Sequence, residues 1–194
     1  MNAIAEPTRL AIRSASPSDI EAIVVLVESA YRGEASKQGW TTEADMLDGR
    51  RTDVAAVAEL IARPGSIVLL GESDGVLLAC AHVEKLDMTG YFGMFSVRPA
   101  QQGVGIGRAM LAQAECIARD EWHCGEVQMT VISIRTALIA WYERRGYRRT
   151  GVYKPFPYGD ERFGIPKRDD LRFEVPVQPL DSNQSQAPPF TLGY

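Results

Sequence analysis

The sequence predicts an α/β (α+β) fold, in which a mixed, mostly antiparallel and twisted sheet of about six to seven strands is flanked by helices. Three features lead to this prediction. Strand-like and helix-like segments alternate along the 194 residues, three consecutive strands form a meander, and a glycine-rich turn joins a buried strand to a helix. We expect a single domain over residues 1–177, followed by a flexible tail, residues 178–194, in which Pro, Ser, Gln and Asn dominate.

A strand and an amphipathic helix open the chain. Leu10–Arg13 reads as a strand, and Ser16 followed by Pro17 and Asp19 is a typical helix start, with Ser16 as the N-cap. Apolar residues then recur at helical spacing as far as Tyr31. These positions predict a helix with one buried face.

The next part of the chain is more polar and is punctuated by glycine. We predict a short helix from Thr42 to Leu47, capped by Thr42. A second helix is predicted over residues 52–62, with Val54 and Val57 among the residues that face inward.

The middle of the chain predicts an antiparallel meander. Residues 66–71 form a short apolar run typical of a buried strand, and Asp74-Gly75 is a hairpin signal. Residues 76–85 form the partner strand, and residues 91–97 form the third strand, which leads into the glycine-rich turn. The elements predicted after that turn are a helix over 107–120, a strand over 126–133, a helix over 135–145 that Gly146 ends, and strands over 147–153 and 171–177.

The stretch 95–108 is the strongest motif in the sequence. Gly103, Gly105 and Gly107 occupy every second position, so backbone N–H groups can approach a ligand closely. The helix that follows directs its free N–H groups and the positive end of its dipole to the same place. The motif therefore predicts a phosphate-binding turn, with a plain strand-to-helix turn as the alternative. It is neither a Walker A loop nor a dinucleotide fingerprint, because it lacks the Lys-Ser/Thr ending and the Gly-x-Gly-x-x-Gly spacing.

Two motifs together resemble one known family. Gln102-x-x-Gly105-x-Gly107 resembles the acetyl-CoA pyrophosphate loop of the GNAT superfamily, the Gcn5-related N-acetyltransferases. The segment 135–147 resembles the GNAT helix that ends in Tyr-x-x-x-Gly-Phe, with Tyr142 and Gly146 in place and Tyr147 instead of Phe. The resemblance covers roughly residues 10–175. It implies the GNAT-like acyl-CoA N-acyltransferase fold and acetyl-CoA as a co-substrate, with no metal.

The resemblance also implies a set of cofactor-binding residues. The backbone of the strand before the loop would pair with the pantetheine arm and offer an N–H group to the oxyanion, and the loop would hold the pyrophosphate. Arg135 stands where many family members carry asparagine, so it would either reach a coenzyme phosphate or be an ordinary solvated arginine. The full set is Phe95, Ser96, Val97, Gln102, Gly103, Val104, Gly105, Ile106, Gly107, Arg108 and Arg135.

Three residues are candidates for the catalytic steps. Tyr142 carries over from the family as the group that protonates, or hydrogen-bonds, the coenzyme A sulfur, since a phenol with a pKa of about 10 keeps its proton at neutral pH. Many family members place a carboxylate in the strand before the loop, but residues 91–97 contain none. His82 and Glu84 share one face of the neighbouring strand and are the candidate bases, acting through water. For both, a structural or solvated role is the alternative.

The leading hypothesis is a cytoplasmic N-acetyltransferase that acts on the primary amine of a small molecule. Transfer would be direct, within a ternary complex, because the motifs hold no cysteine that could carry the acetyl group. A protein or peptide N-acetyltransferase is one alternative, and a non-catalytic acyl-CoA-binding regulatory module is another. In the resembled family the segment 32–51 covers the acceptor. Trp40 could form an amine pocket there with Glu34, Glu43 and Asp45, but a packing anchor for the loop is the favoured interpretation.

The composition argues against other partners. With 21 basic and 25 acidic residues the net charge is −4, so no basic excess points to nucleic acid or to an anionic membrane. No apolar run of about 18 residues could span a membrane. The three cysteines and two histidines show no metal-ligand spacing, and the odd cysteine count fits a reducing cytoplasm. The family resemblance is compatible with a homodimer.

Overall fold

A computed structural model of the chain describes residues 10–180. Its helices are α1 (Ile20–Tyr31), α2 (Gly33–Ser36), α3 (Val54–Ala62), α4 (Ile106–Cys116) and α5 (Thr136–Glu143). Its strands are β1 (Ala11–Ser14), β2 (Leu47–Asp48), β3 (Ser66–Ser73), β4 (Val76–Leu86), β5 (Thr89–Val97), β6 (Glu126–Gln128), β7 (Val131–Ile132), β8 (Arg148–Pro155), β9 (Ile165–Pro166) and β10 (Arg172–Pro179). None of the helices within 10–180 is long and apolar enough to cross a membrane.

The main sheet confirms the predicted fold class. Its strand order is β1-β3-β4-β5-β6-β10, with β7 beside β6 on the same edge of β10 and β8 pairing with β10 as well. The pairing of β5 with β6 is parallel, and the other pairings of this sheet are antiparallel. A mixed, mostly antiparallel sheet results, and β2 and β9 form a small separate ribbon.

Helices cover both faces of this sheet. On one face α4 contributes Met110 and Leu111, and α5 contributes Ile139, to a core with Ala79, Ala81 and Val83 of β4. On the other face Ile23 and Val27 of α1 and Val57 of α3 pack on Val68, Leu70 and Cys80. The alternation along β4 therefore sorts its side chains between two cores, as the period of two predicts.

Local signals in the sequence are confirmed at three positions. Asp74 and Gly75 form the β3–β4 hairpin with φ values of 51° and 75°. The backbone N–H of Ser16 donates to Asp19 Oδ2 at 2.8 Å, at the start of a short 3-10 turn that leads into α1. Gly146 ends α5 with φ 95°, the left-handed conformation expected of a glycine after a helix.

Four predictions about local structure were wrong. The helix predicted from Thr42 to Leu47 is a single turn followed by β2, because the Thr42 hydroxyl accepts from the N–H of Ala44 and β2 pairs with β9. Val54 is 54% exposed instead of inward-facing. The strand predicted over 126–133 is interrupted between β6 and β7. The tail was predicted from Gln178, but β10 extends to Pro179; the rest of the predicted tail, residues 181–194, lies outside the described part of the chain.

The sheet opens between β5 and β6, and this opening positions the site. Paired residues of the two strands end at Tyr91 and Gln128. On its other edge β5 is bulged, because its register against β4 shifts between Cys80 and His82, and Met94 at the bulge has a φ of 43°. Beyond Tyr91 the β6 side of β5 is therefore free of a strand partner among residues 10–180.

Candidate active site

A cleft with a volume of about 960 Å³ lies where β5 and β6 separate. We call it the acceptor cleft. Six residues that the sequence analysis singled out line it: Glu43, His82, Glu84, Phe95, Arg135 and Tyr142. The glycine loop, residues 102–108, is not among the lining residues and follows the far end of β5. The site thus has two parts.

The glycine loop presents a series of free amides. Within residues 10–180 none of the backbone N–H groups from Gly103 to Arg108 donates a hydrogen bond, and the first bond of α4 is that of Ala109 to Gly105 O at 3.1 Å. Gly103 and Gly105 have φ values of 90° and 97°, and a Cβ atom at either would meet nothing within 4 Å. Consecutive free amides at a helix start bind anions, so these residues fit a pyrophosphate.

Gly107 and Gln102 also make contacts within the protein. A Cβ atom at Gly107 would lie 3.2 Å from the Phe95 ring and 3.5 Å from that of Trp141, so this glycine allows close packing. The N–H of Gln102 donates to Pro99 O at 3.3 Å, and its side-chain Nε2 donates to Val97 O at 3.1 Å. The polar groups of Gln102 thus contact protein atoms, unlike the free amides of Gly103–Arg108, and its predicted contact with the pyrophosphate stays a prediction.

The side chain of Gln102 fastens the acceptor-side loop to the glycine loop. Its Oε1 accepts from the N–H of Trp40 at 2.9 Å, and its Nε2 also donates to the Thr41 hydroxyl at 2.8 Å. Trp40 itself packs near Trp141, with 6.5 Å between the two ring centroids. Trp40 is therefore a packing anchor, as the favoured interpretation had it, and the cofactor side and the acceptor side are physically linked.

Two arginines, Arg108 and Arg145, lie near the start of α4. Arg145 lies over the Trp141 ring with its guanidinium carbon 3.4 Å from the ring centroid. Trp141 in turn lies 3.5 Å from the Cβ position of Gly107, next to Arg108. Burial lowers the pKa of Arg145, and the charges of Arg144 and Arg108 lower it further. Arg108 and Arg145, unlike Arg135, therefore lie beside the glycine loop and suit the phosphates of a coenzyme.

Tyr142 lies at the inner end of the acceptor cleft. Its side chain is buried, and its ring packs edge-on against Trp141 at 5.0 Å and Tyr147 at 5.6 Å between centroids. Its hydroxyl makes no hydrogen bond with any of residues 10–180, so the proton is free to be donated into the cleft. Burial raises the pKa of Tyr142, which keeps the phenol protonated at neutral pH.

Tyr31 is a site residue that the sequence analysis missed. It stands at the end of α1, and its hydroxyl donates to the carbonyl oxygen of Phe95 at the bulge of β5. Only its place on the apolar face of α1 was visible in the sequence, and that place indicated packing. Because β5 has no strand partner on the β6 side there, the bond from Tyr31 helps to hold the backbone of β5 at Phe95 in place.

The second missed feature is a buried carboxylate surrounded by arginines. Glu43 Oε2 lies 2.6 Å from Arg32 Nη1 and 3.8 Å from Arg51 Nε, and its Oε1 lies 3.0 Å from Arg135 Nη1. The side chains of Glu43 and Arg32 are each 6% exposed, and that of Arg135 is 10% exposed. Burial alone would raise the pKa of Glu43, but the three guanidinium groups outweigh it and the pKa is lowered. Glu43 is therefore ionised and is a poor base.

Arg135 is thus in a different place from the one expected of a phosphate ligand. Besides its bond to Glu43, its Nη2 donates to Thr41 O at 2.5 Å. It closes the acceptor-side loop onto the start of α5. The amine pocket imagined around Trp40 does not form either, because the charge of Glu43 is already neutralised by arginines.

The two candidate bases are coupled to each other and to an arginine. Ser66 donates its one hydroxyl proton to Leu60 O at 2.6 Å, so His82 Nε2, 2.9 Å from Ser66 Oγ, must donate to that oxygen. This assignment leaves Nδ1 of His82 as the acceptor. Burial lowers the pKa of His82 to about 4 against the opposing effect of Glu84, so the imidazole is neutral at pH 7.

Glu84 is held by a neighbouring charge. Arg63 Nη1 lies 3.2 Å from its Oε2, and His82 Nε2 lies 3.6 Å from the same oxygen. Tyr91 completes this end of the cleft, with its ring centroid 5.9 Å from that of His82. Within residues 10–180 no group of three or more His, Cys, Asp or Glu side chains could hold a metal ion.

Comparisons with known proteins agree with this geometry. The family described as "Acetyltransferase (GNAT) family" matches residues 21–147. Among solved structures, the ribosomal-protein-S18-alanine N-acetyltransferase of Escherichia coli is similar with a TM-score of 0.67 at 14% identity, over 92% of this chain and 99% of that one. No curated protein matches the sequence.

Two further structures show the range of proteins that share the fold. The protein yncA of Salmonella typhimurium, solved with its cofactor acetyl-CoA, has a TM-score of 0.63 at 23% identity, over 91% of this chain and 96% of that one. A spermidine N-acetyltransferase variant from Vibrio cholerae has a TM-score of 0.66 at 11% identity, over 91% of this chain and 98% of that one. At these identities the likeness concerns the fold.

Proposed function

The chain belongs to the GNAT acetyltransferase family and is an acetyl-CoA-dependent N-acetyltransferase; from that premise we propose that its acceptor is the primary amine of a small molecule and that transfer is direct. The observation that carries the proposal is the acceptor cleft itself. Its volume of about 960 Å³ lies within the range of small-molecule sites. Phe156, from the stiff loop after β8, lines this cleft and is itself buried.

The residues of the glycine loop would hold the coenzyme. The free amides from Gly103 to Arg108 bind the pyrophosphate, and the arginines beside α4 attract the phosphates. The unpartnered edge of β5, including Phe95, Ser96 and Val97, binds the pantetheine arm and directs an N–H group at the developing oxyanion. When bound, acetyl-CoA supplies an activated thioester.

Few groups are needed for the transfer. The amine nitrogen forms a bond to the acetyl carbon, the carbon–sulfur bond breaks, and the Tyr142 hydroxyl gives its proton to the departing sulfur. The amine loses a proton in turn. A water molecule takes that proton and passes it to Nδ1 of His82, and Glu84, whose Oε2 lies 3.6 Å from Nε2, stabilises the imidazolium that forms.

The test compares two tyrosines that share one aromatic cluster. We expect Tyr142→Phe to lower kcat by about 100-fold, the usual contribution of a general acid, with the affinity for acetyl-CoA unchanged. Tyr147→Phe is the matched control, because it removes a hydroxyl from the neighbouring ring, whose centroid lies 5.6 Å from that of Tyr142. This variant should leave kcat nearly unchanged. Thiol release measured over a panel of amines and peptides gives the rates.

Either of two results would contradict the proposal. Equal rates for Tyr142→Phe and Tyr147→Phe would remove Tyr142 from the reaction. Faster acetylation of peptides than of free amines would assign the cleft to a protein substrate. A cytoplasmic location and a homodimer remain predictions.

A further inference from the structure

The acceptor cleft has an excess of positive charge at one end. Three guanidinium groups, those of Arg32, Arg51 and Arg135, surround the single carboxylate of Glu43. The nearest further carboxylate on the adjoining α1 is that of Glu28. Arg50 and Asp53, which line the cleft on either side of Arg51, add one charge of each sign. When these two and Glu28, which contacts the Arg51 N–H, are counted, one positive charge is left over. A buried or half-buried charge without a partner is unfavourable, so such an excess indicates that an anion belongs there.

Arg51 is the arginine of this group that is free to bind. Its guanidinium makes no hydrogen bond with any of residues 10–180, and its one ion pair, to Glu43, is 3.8 Å long. Its side chain is 32% exposed and lines the cleft. By contrast, Arg32 and Arg135 are nine-tenths buried and each makes a closer contact with Glu43.

The backbone around Arg51 is fixed, which makes it a pre-organised binding group. Glu28 Oε1 accepts from the N–H groups of Arg51 and Thr52 at 2.6 and 2.9 Å. One helical turn further along α1, the ring of Tyr31 lies under two guanidinium groups, with centroid distances of 5.4 Å to Arg51 and 5.7 Å to Arg135. Binding an anion there would therefore cost little conformational entropy in the protein.

The same ring relates the arginines to the reaction centre. The Tyr31 hydroxyl bonds the Phe95 carbonyl at the open edge of β5, where the acetyl group would lie, while the face of its ring carries the guanidinium groups. An anion at Arg51 and an amine at β5 are therefore separated by about one phenol ring. The cleft also has the opposite polarity at its other end, where Glu59 and Glu84 flank Arg63.

We propose that the acceptor is an α- or β-amino acid-like molecule, whose carboxylate is bound by Arg51 and whose amine points towards β5. This inference rests on the proposed acetyl transfer and names the substrate class of the same cleft. Arg51 acts as the specificity-determining residue, and a bidentate arginine–carboxylate contact supplies the selectivity. Polyamines are disfavoured, because a second cationic group would meet the arginines at close range.

The experiment uses matched pairs of acceptors. L-leucine, L-phenylalanine and L-glutamine are compared with their amides, which keep the amine and replace the carboxylate by a neutral group, and with spermidine. Two readouts are taken: thiol release from acetyl-CoA, and calorimetric binding of each compound to the protein saturated with coenzyme A. The variants are Arg51→Gln and, as the matched control, Arg168→Gln, an exposed arginine paired with Asp170 outside the cleft.

We expect at least one acid to bind, and to be acetylated with a kcat/KM, at least tenfold better than its amide. Arg51→Gln should raise KM for that acid by about 30-fold and leave KM for the amide unchanged, while Arg168→Gln changes neither. Thermal unfolding of both variants verifies that they are folded.

The two readouts separate this inference from the proposed function. Selective binding of an acid without thiol release would support the anion site and contradict acetyl transfer to it. Acetylation of amides or spermidine at least as fast as of the acids would support acetyl transfer and overturn the inference. The inference would also be overturned if Arg51→Gln raised KM equally for the acid and its amide. The same holds if no acid bound more tightly than its amide.

Discussion

The two parts of the site, the glycine loop and the acceptor cleft, use different kinds of chemical group. The glycine loop offers the backbone N–H groups of six consecutive residues, Gly103–Arg108, and few side chains take part. The acceptor cleft is made of side chains that meet from distant segments, such as Glu43 and Arg135, which are 92 positions apart, and Tyr31 and Phe95, which are 64 apart. The loop therefore depends on local backbone conformation, whereas the cleft depends on a balance of buried charges.

The difference predicts which substitutions each part tolerates. Backbone amides remain when side chains change, so the loop should be sensitive mainly where a residue needs a left-handed φ. A buried charge cluster has the opposite property, since the backbone around it can remain while a single neutralised side chain leaves several charges without a partner. Substitutions chosen on this basis should affect one part and leave the other intact.

The largest effect is expected for Glu43→Gln. The variant keeps the shape of the side chain but removes the charge that holds Arg32, Arg51 and Arg135 together. Breaking a buried ion pair in this way costs about 3–5 kcal/mol, so we expect the free energy of unfolding in urea to fall by about that amount. Acetyl-CoA binding measured by calorimetry at a temperature where the variant is folded should be nearly unchanged.

Glu34→Gln is the matched control for Glu43→Gln. The Glu34 side chain is 87% exposed, and among residues 10–180 it pairs only with Lys37. Removing its charge should therefore not change the free energy of unfolding measurably. The charge-cluster account of the cleft would have to be abandoned if the two variants were equally stable.

The next effect concerns the loop. We expect Gly105→Val to weaken acetyl-CoA binding by about 100-fold, because a β-branched residue is strained at a φ of 97° and its side chain would occupy the space of the pyrophosphate. The protein itself offers no obstacle, since a Cβ atom there meets nothing within 4 Å. Calorimetric titration with acetyl-CoA measures the loss.

Gly125→Val is the control for the loop, as Gly125 also has open space around its Cβ position but no left-handed φ. Its affinity for acetyl-CoA should equal that of the unchanged protein. If Gly105→Val bound acetyl-CoA as tightly as Gly125→Val does, the loop would be a plain turn.

The same contrast explains what could be predicted from the sequence. The hairpin at Asp74-Gly75, the glycine loop and the helix of Tyr142 were predicted because their partners are near in the chain and turn chemistry has a sequence pattern. For Arg135 the sequence left a coenzyme phosphate and open solvent as alternatives, and the acid of Glu43 was expected in solvent or in an amine pocket. The ion pair between the two was missed, because a charge in a sequence shows neither its partner nor its burial. Tyr31 could be assigned to a buried helix face, but its bond to the Phe95 carbonyl depends on a bulge that the sequence of β5 does not predict.

The smallest expected effect concerns His82 in the wall of the acceptor cleft, and it tests whether this wall is as dry as its burial indicates. Burial lowers the pKa of His82 to about 4, whereas an unfolded histidine titrates near ~6.5. Between these values the unfolded chain binds a proton that the folded chain does not, so the free energy of unfolding must fall as the pH falls through this window. The contribution at pH 5 is about 2 kcal/mol.

His82→Asn should therefore lose about that much less stability than the unchanged protein between pH 7 and pH 5, measured by urea unfolding. His123→Asn replaces the only other histidine of the sequence, which is exposed, and should follow the unchanged protein. Parallel curves for all three proteins would mean that water reaches His82 and that its basicity in the cleft is that of an ordinary imidazole.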